Sequence, residues 1–224
     1  MDPVSPSLID TLRRAGTAVI SDTFDQLGLP PAPLATDLWP VAGPGAAFAG
    51  PAYTVGGESR FGPCRGDREK LRAIDAMPAG AVALWAGGDI RGVCCFGDLL
   101  ASAMKVRGVA GVVVDGGVRD VRFLGELGLP MWVRYRTPAQ ALGRWRVTAV
   151  QEPVQVRGAL SDRVTVHPGD LLVADDDGVV VVPAALAETV AGRVADWERK
   201  DRSARQDILA GMKLLDALAK HGAL

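Results

Sequence analysis

The chain is short of the residues that most enzymes use for conspicuous chemistry. Aromatic residues make up 5% of its 224 positions, and there are only two histidines and three cysteines. With His167 and His221 alone, and no Cys-x-x-Cys pair, a histidine-based triad or a His/Cys zinc centre has too little material. Cys94 and Cys95 are adjacent, where a mutual disulfide would be badly strained, so a disulfide scaffold is not expected and buried packing is the expectation for the pair. Cys64, between Pro63 and Arg65, reads as an ordinary loop thiol. Neither sign of charge dominates: 25 basic and 26 acidic residues leave a net −1, which withholds the basic field of a dedicated nucleic-acid binder. No stretch of 18 apolar residues occurs, and Met1 to Ile20 carries Asp2, Asp10, Arg13 and Arg14 without a signal-peptide core. A cytoplasmic setting with no membrane partner is expected.

What is present is ordinary globular material. Hydrophobic residues are 48% and charged residues 23%, and the length suffices to bury a core without staples. Twenty-seven glycines and 15 prolines, with no collagen-like period, indicate many tight turns between short elements. With so few aromatics the core must be built from Val, Leu and Ala, and runs such as 112–114 and 179–182 read as buried strands.

Along the chain, Ser7 to Gly28 fits two short helices, with Ser21 or Asp22 placed to cap the second. Pro30 to Gly50 reads as a long irregular connection. A strand at Ala52–Val55 is followed by a short helix over Gly66–Ala76 with Leu71 and Ile74 inward. Strands at 81–85, 109–114 and 131–135 then alternate with helices at 98–107 and 121–127, and a Val-rich strand section runs from about 145 to 182. Pro183 to Leu218 reads as helical. Together these predict one α/β domain, 1–224, in which helices cover a mixed sheet, with a helical extension from about 184.

The informative stretch is Phe96-Gly97-Asp98-Leu99-Leu100 followed by Asp115-Gly116-Gly117-Val118-Arg119-Asp120. Gly97-Asp98 opens a helix, so amides of the next residues, notably Leu99 and Leu100, are placed to bind an anion such as a substrate carboxylate. A Gly-Gly turn at the end of the next strand then presents Arg119 and Asp120 where ligands of α/β proteins gather. An adjacent Arg-Asp pair taken alone reads first as a structural ion pair, and Asp98 is readable as a helix N-cap. An arginine suited to forking a carboxylate, beside two acids, also suits an oxyanion-plus-metal pocket. Lys105, the nearest lysine in sequence, falls about two helical turns beyond Asp98 and reads as a surface residue. His167, before Pro168-Gly169, reads as structural.

Twenty residues separate Asp98 from Arg119-Asp120, which resembles the D-x20-R-D signature of the class II pyruvate aldolases of the RraA-like family. Those enzymes cleave 4-hydroxy-4-methyl-2-oxoglutarate and 4-carboxy-4-hydroxy-2-oxoadipate, and ribonuclease E activity regulators form the family's other branch. The resemblance extends through Thr17–Gly28, Gly50–Val55 and the closing segment Pro168–Pro183. It implies an α/β/β sandwich of the swivelling-domain type, assembled as a homotrimer or a dimer of trimers. Gly97, Asp98, Leu99 and Leu100 would contact the pyruvyl carboxylate, Arg119 the keto or enolate oxygen, and Asp120 would hold Mg²⁺ or Mn²⁺, with Asp98 acting through water. Family members also lend an acid from a neighbouring subunit's C-terminal helix, where Glu198 and Asp201 lie here. The implied activity is divalent-metal-dependent cleavage of 4-hydroxy-2-oxo acids to pyruvate, with oxaloacetate decarboxylation as a side reaction. A non-catalytic regulator binding a protein partner is the alternative. The chain departs from the family at Cys94, where glycine is common, and over Glu58–Asp67, which resembles no family segment.

Overall fold

The computed structural model describes residues 4–41, 45–62, 66–88 and 90–222. In chain order its elements are α1 (Pro6–Gln26), β1 (Ala32–Pro33), β2 (Trp39–Pro40), β3 (Phe48–Ser59), α2 (Arg68–Asp75), β4 (Val82–Ala86), β5 (Cys94–Phe96), α3 (Asp98–Val106), β6 (Gly111–Val118), α4 (Val121–Leu127), β7 (Met131–Arg136), β8 (Trp145–Val150), β9 (Val154–Arg157), β10 (Arg163–Val166), β11 (Leu171–Asp175), β12 (Gly178–Val182), α5 (Ala187–Leu209) and α6 (Leu214–His221). None of its helices is long and apolar enough to cross a membrane.

β3 joins the two halves of the sheet because its 12 residues serve three partners. Its first residues run antiparallel to β11, its middle parallel to β4, and its end antiparallel to β8. Beyond β4 lie β6 and β7, both parallel, and β5 adds a short parallel pairing at the end of β6, Phe96 opposite Val118. Parallel neighbours need crossovers, and α3 and α4 supply those that flank β6.

Side-chain alternation sorts the apolar residues into layers. Ala83, Trp85, Val112, Val114, Met131 and Val133 face the cluster beneath α2, α3 and α4. Their chain neighbours Val82, Leu84, Val113 and Trp132 face the opposite way, onto Leu172, Ala174, Val179 and Val181 and the β9–β10 hairpin. Leu171, Val173, Val180 and Val182 turn out again beneath α1 and α5, against Leu12, Ile20, Phe24, Val190 and Val194. The curled sheet is thus packed on itself and covered by helices outside, an α/β fold as expected.

Four local expectations are corrected. The N-terminal helix does break, but at Gly16 (φ 81°, ψ 168°) rather than near Ser21 or Asp22. The cap there is remote: Thr17 donates to Asp175 from both its amide and its hydroxyl, each at 2.7 Å. On α2 it is Lys70, Ala73 and Ile74 that are buried, whereas Leu71 is half exposed. Gly116 and Gly117 are strand residues of β6, not a turn; a Cβ at Gly117 would strike the Tyr135 ring. The C-terminal helix is two, with Gly211 (φ 100°) between them. The segment 58–67 has structural uses at its ends: Glu58 pairs with Arg146 at 2.9 Å and Asp67 caps α2. Cys64 lies outside the described residues.

Candidate active site

Two adjacent parallel strands, β5 and β6, end side by side, and the chain leaves each into a helix. Asp98 is the first residue of α3 and Arg119-Asp120 join β6 to α4. The two exits are tied by main-chain bonding from Arg119 N to Phe96 O at 3.3 Å. The apolar stretches before each exit hold the strands in the core, so the polar residues after them must emerge at the sheet's carboxyl edge.

Asp120 adopts the left-handed conformation (φ 60°, ψ 33°) and its side chain does not cap α4. Its Oδ2 instead accepts from the Asp98 amide at the start of α3, at 3.2 Å, and lies 3.3 Å from Arg119 Nε. That nitrogen is buried without a hydrogen-bond partner among the described residues, so the two groups attract by charge without a formed bond. Non-glycine left-handed backbone costs on the order of 1–3 kcal/mol and concentrates at functional positions. Gly97 permits this packing, because a Cβ there would overlap Asp120 Oδ2 and crowd Arg119 at 3.0 Å from Cγ and 3.1 Å from Nε.

Two recesses flank this ridge. A cleft of about 290 Å³ contains Asp67, Lys70, Cys94, Gly97, Asp98, Leu99, Leu100 and Arg119, closed on one side by Gln140, Ala141 and Leu142. A shallower recess of about 430 Å³ contains Arg119, Asp120, Arg136 and Thr137. Arg119 reaches both, while Asp98 belongs to the first and Asp120 to the second. The first volume is at the lower end for small-ligand sites, roughly 300–1,000 Å³, and suits a compact acid rather than a polymer.

The structure therefore brings Gly97, Asp98, Leu99, Leu100 and Arg119 to one cleft and sets Asp120 on the far side of the ridge, joined to the others through Arg119 and the Asp98 amide, with one further revision. The Leu99 amide is already engaged by Asp98 Oδ1 at 2.8 Å, so it is not vacant for an anion. Glu198 and Asp201 lie on α5, paired to Arg202 and Arg205 at 2.6 Å each, and border neither recess of their own chain. Lys105 donates to the Gly128 carbonyl, away from the cleft. Cys94 and Cys95 are buried free thiols; burial pushes both up, Cys95 to about 12.

Among the described residues no three His, Cys, Asp or Glu side chains form a cluster that would cage a metal alone. A hard cation does not need one: Mg²⁺ commonly keeps several waters and takes one or two carboxylates plus substrate oxygens. Asp120 and Asp98 are carboxylates of the right chemistry, but they border different recesses and would have to reach such an ion from opposite sides of the ridge.

The model of the family "RraA-like: Aldolase/RraA" matches residues 17–181. The chain belongs to the RraA-like family. A Halalkalibacterium halodurans protein named "Putative 4-hydroxy-4-methyl-2-oxoglutarate aldolase" is 31% identical over 219 residues, 94% of each chain. The solved structure of a Pseudomonas syringae pv. tomato protein superimposes with a TM-score of 0.82 at 29% identity, covering 97% of this chain and 99% of the other. Streptomyces coelicolor RraAS2, described as an unusual member of the RNase ES inhibitor RraA protein family, gives 0.77 at 28%, covering 92% and 98%. In this RraA-like chain, sequence reasoning missed Lys70, Arg136 and the 140–142 wall. Lys70 carried a signal: positions 70, 73, 74 and 77 form an i, i+3, i+4, i+7 stripe. A lysine in it does not suggest an inward face.

Proposed function

We propose that the cleft at Asp98 and Arg119 is the active site of a divalent-cation-assisted lyase that cleaves 4-hydroxy-2-oxo acids, such as 4-hydroxy-4-methyl-2-oxoglutarate, to pyruvate. The observation that carries this reading is the turned Asp120 side chain, held at the mouth of α3 and beside Arg119 although its own helix is left uncapped. Asp120, and Asp98 through water, would hold Mg²⁺ or Mn²⁺, which when bound supplies Lewis-acid charge beside the substrate's 2-oxo group. Arg119 binds the 2-oxo oxygen and meets the negative charge that grows there as the C3–C4 bond breaks. Asp98 orients a water that takes the 4-hydroxyl proton, so the departing fragment leaves as a carbonyl compound and the other as pyruvate enolate, whose C3 then receives that proton to give pyruvate. The positive end of α3 lies next to the substrate carboxylate. Oxaloacetate loses CO₂ through the same enolate, so both activities belong to one site.

The test is pyruvate release, read with a lactate dehydrogenase couple, from a panel of 4-substituted 2-oxo acids and oxaloacetate with Mg²⁺ supplied. Asp120→Ala and EDTA should each abolish both activities, and the reading fails if either leaves the rates unchanged. The relationship to RraAS2 favours a second reading, a non-catalytic regulator acting on a ribonuclease through a protein contact. Release of no pyruvate from any acid would support it. In the catalytic reading the site lies within a homotrimer or a dimer of trimers, where Glu198 or Asp201 of one subunit would complete a neighbour's cleft.

A further inference from the structure

The middle of α5 is dense in charge, and its two helical salt bridges share one side: Arg202 pairs with Glu198 and Arg205 with Asp201. At about 100° per residue, Arg193, Trp197 and Lys200, spaced i, i+4, i+7, share another side. Arg193 and Lys200 are exposed, and neither makes an ion pair with a described residue. A helix that pairs its cations on one side and leaves them unneutralised on the other presents a localised positive field.

That field faces a concave surface. Arg193, Trp197 and Lys200 line a recess of about 910 Å³, bounded by Gln26 at the end of α1 and by Lys220 and His221 at the end of α6. The volume is near the upper end for small-ligand sites, roughly 300–1,000 Å³. Among the described residues one carboxylate borders it, Asp207, and its Oδ2 is 2.7 Å from Lys220 Nζ and 2.6 Å from His221 Nε2. Bonding to Lys220, then to His221, holds that carboxyl below its usual range, so its charge is spent on α6 and does not offset Arg193 or Lys200. These two cations stand seven residues apart, about 10 Å along the axis, a span matched by a chain of phosphates rather than by one small anion. Half-buried Trp197 lies between them, and Gln26 and Gln206 add amides able to meet the polar edge of a base.

We propose that this recess binds a nucleoside di- or triphosphate, with Arg193 and Lys200 on the phosphates and Trp197 against the base. The site shares no residue with the cleft at Asp98 and Arg119. Glu198 lies about 140° around α5 from Arg193, so the site also stands apart from the lyase reading. The experiment is titration calorimetry of the full chain at about 0.15 M salt, after dialysis against EDTA and then metal-free buffer, so that no divalent cation carries phosphates to the cleft. The probes are ATP, ADP, inorganic triphosphate and adenosine. ATP should bind at about 10–500 µM, with triphosphate at least about fivefold weaker and adenosine weaker still. Arg193→Met and Lys200→Met should each weaken ATP by about 5- to 20-fold, and Trp197→Leu should bring ATP down to the affinity of triphosphate. Trp197→Phe should fall between, and it stands in should the leucine variant not fold. Arg119→Met in the cleft and Arg122→Met on α4 should leave ATP binding within about twofold of wild type. ATP binding weaker than about 1 mM, or equal affinity for ATP and triphosphate, overturns the proposal. So does unaltered binding in Arg193→Met and Lys200→Met, or a loss in Arg119→Met, which would put the ligand in the cleft instead.

Discussion

Replacing Gly97 by alanine adds one methyl group at the point where β5, α3 and the Arg119-Asp120 corner meet. Backbone strain plays no part, since Gly97 is extended (φ −133°, ψ −159°), a conformation that alanine adopts freely. The whole effect is steric. The new Cβ overlaps Asp120 Oδ2, which would have to retreat by about 1 Å to regain van der Waals separation. Retreat breaks the 3.2 Å bond from the Asp98 amide, a charge-assisted bond worth about 1.5–3 kcal/mol. Arg119 is crowded as well, at 3.0 and 3.1 Å from the new carbon. Gly97→Ala should therefore lose roughly 1–3 kcal/mol in urea denaturation. Pyruvate release should fall by more than that loss suggests, since a displacement near 1 Å at reacting groups costs about 100-fold. Gly125→Ala is the control: on α4, with nothing within 4 Å of a new Cβ, it should gain about 0.5–1 kcal/mol and leave turnover alone. A Gly97→Ala protein with unaltered stability and turnover would refute the claim that this packed corner sets the site.

Other expectations concern stability rather than turnover. Arg134, 10% exposed at its side chain, pairs with buried Asp115 at 2.9 Å, so Arg134→Met should cost about 3–5 kcal/mol in urea unfolding by stranding a carboxylate. Asp175→Ala removes both bonds that cap the second half of α1 and should cost about 1–3 kcal/mol, read as a lowered Tm, with Asp175→Asn intermediate. Cys95 has a folded pKa near 12, raised by burial above the ordinary thiol range. Its contribution is complete below that range and is lost as pH rises from about 9 towards the folded value. Urea midpoints of wild type should thus fall faster over this interval than those of Cys95→Ala, and parallel profiles would contradict the burial argument.

Asp98 at a helix start and Arg119-Asp120 after a strand were legible because each depends on a few neighbouring residues: a glycine, an apolar run, a change of period. The residues 112–114 and 179–182 announced buried strands for the same reason. Leu71 and Lys70 show where such reading stops. Both faces of α2 are open to a single-helix argument, and the choice was made by Asp67 bonding Val147, 80 residues away. The cap of α1 is similar, with Thr17 satisfied by Asp175 rather than by anything nearby.

Local patterning alone thus determined most of the longer strands and helices, though not the short strands β1, β2 and β5, and where along the chain the carboxylates and the guanidinium emerge. Tertiary structure decided that β3 serves three partners at once, that the Asp120 carboxylate turns towards a different helix, and that a lysine faces inward beside them. Those outcomes depend on which distant segments become neighbours, and so on a balance of burial, charge pairing and main-chain bonding that exists only once the sheet has curled.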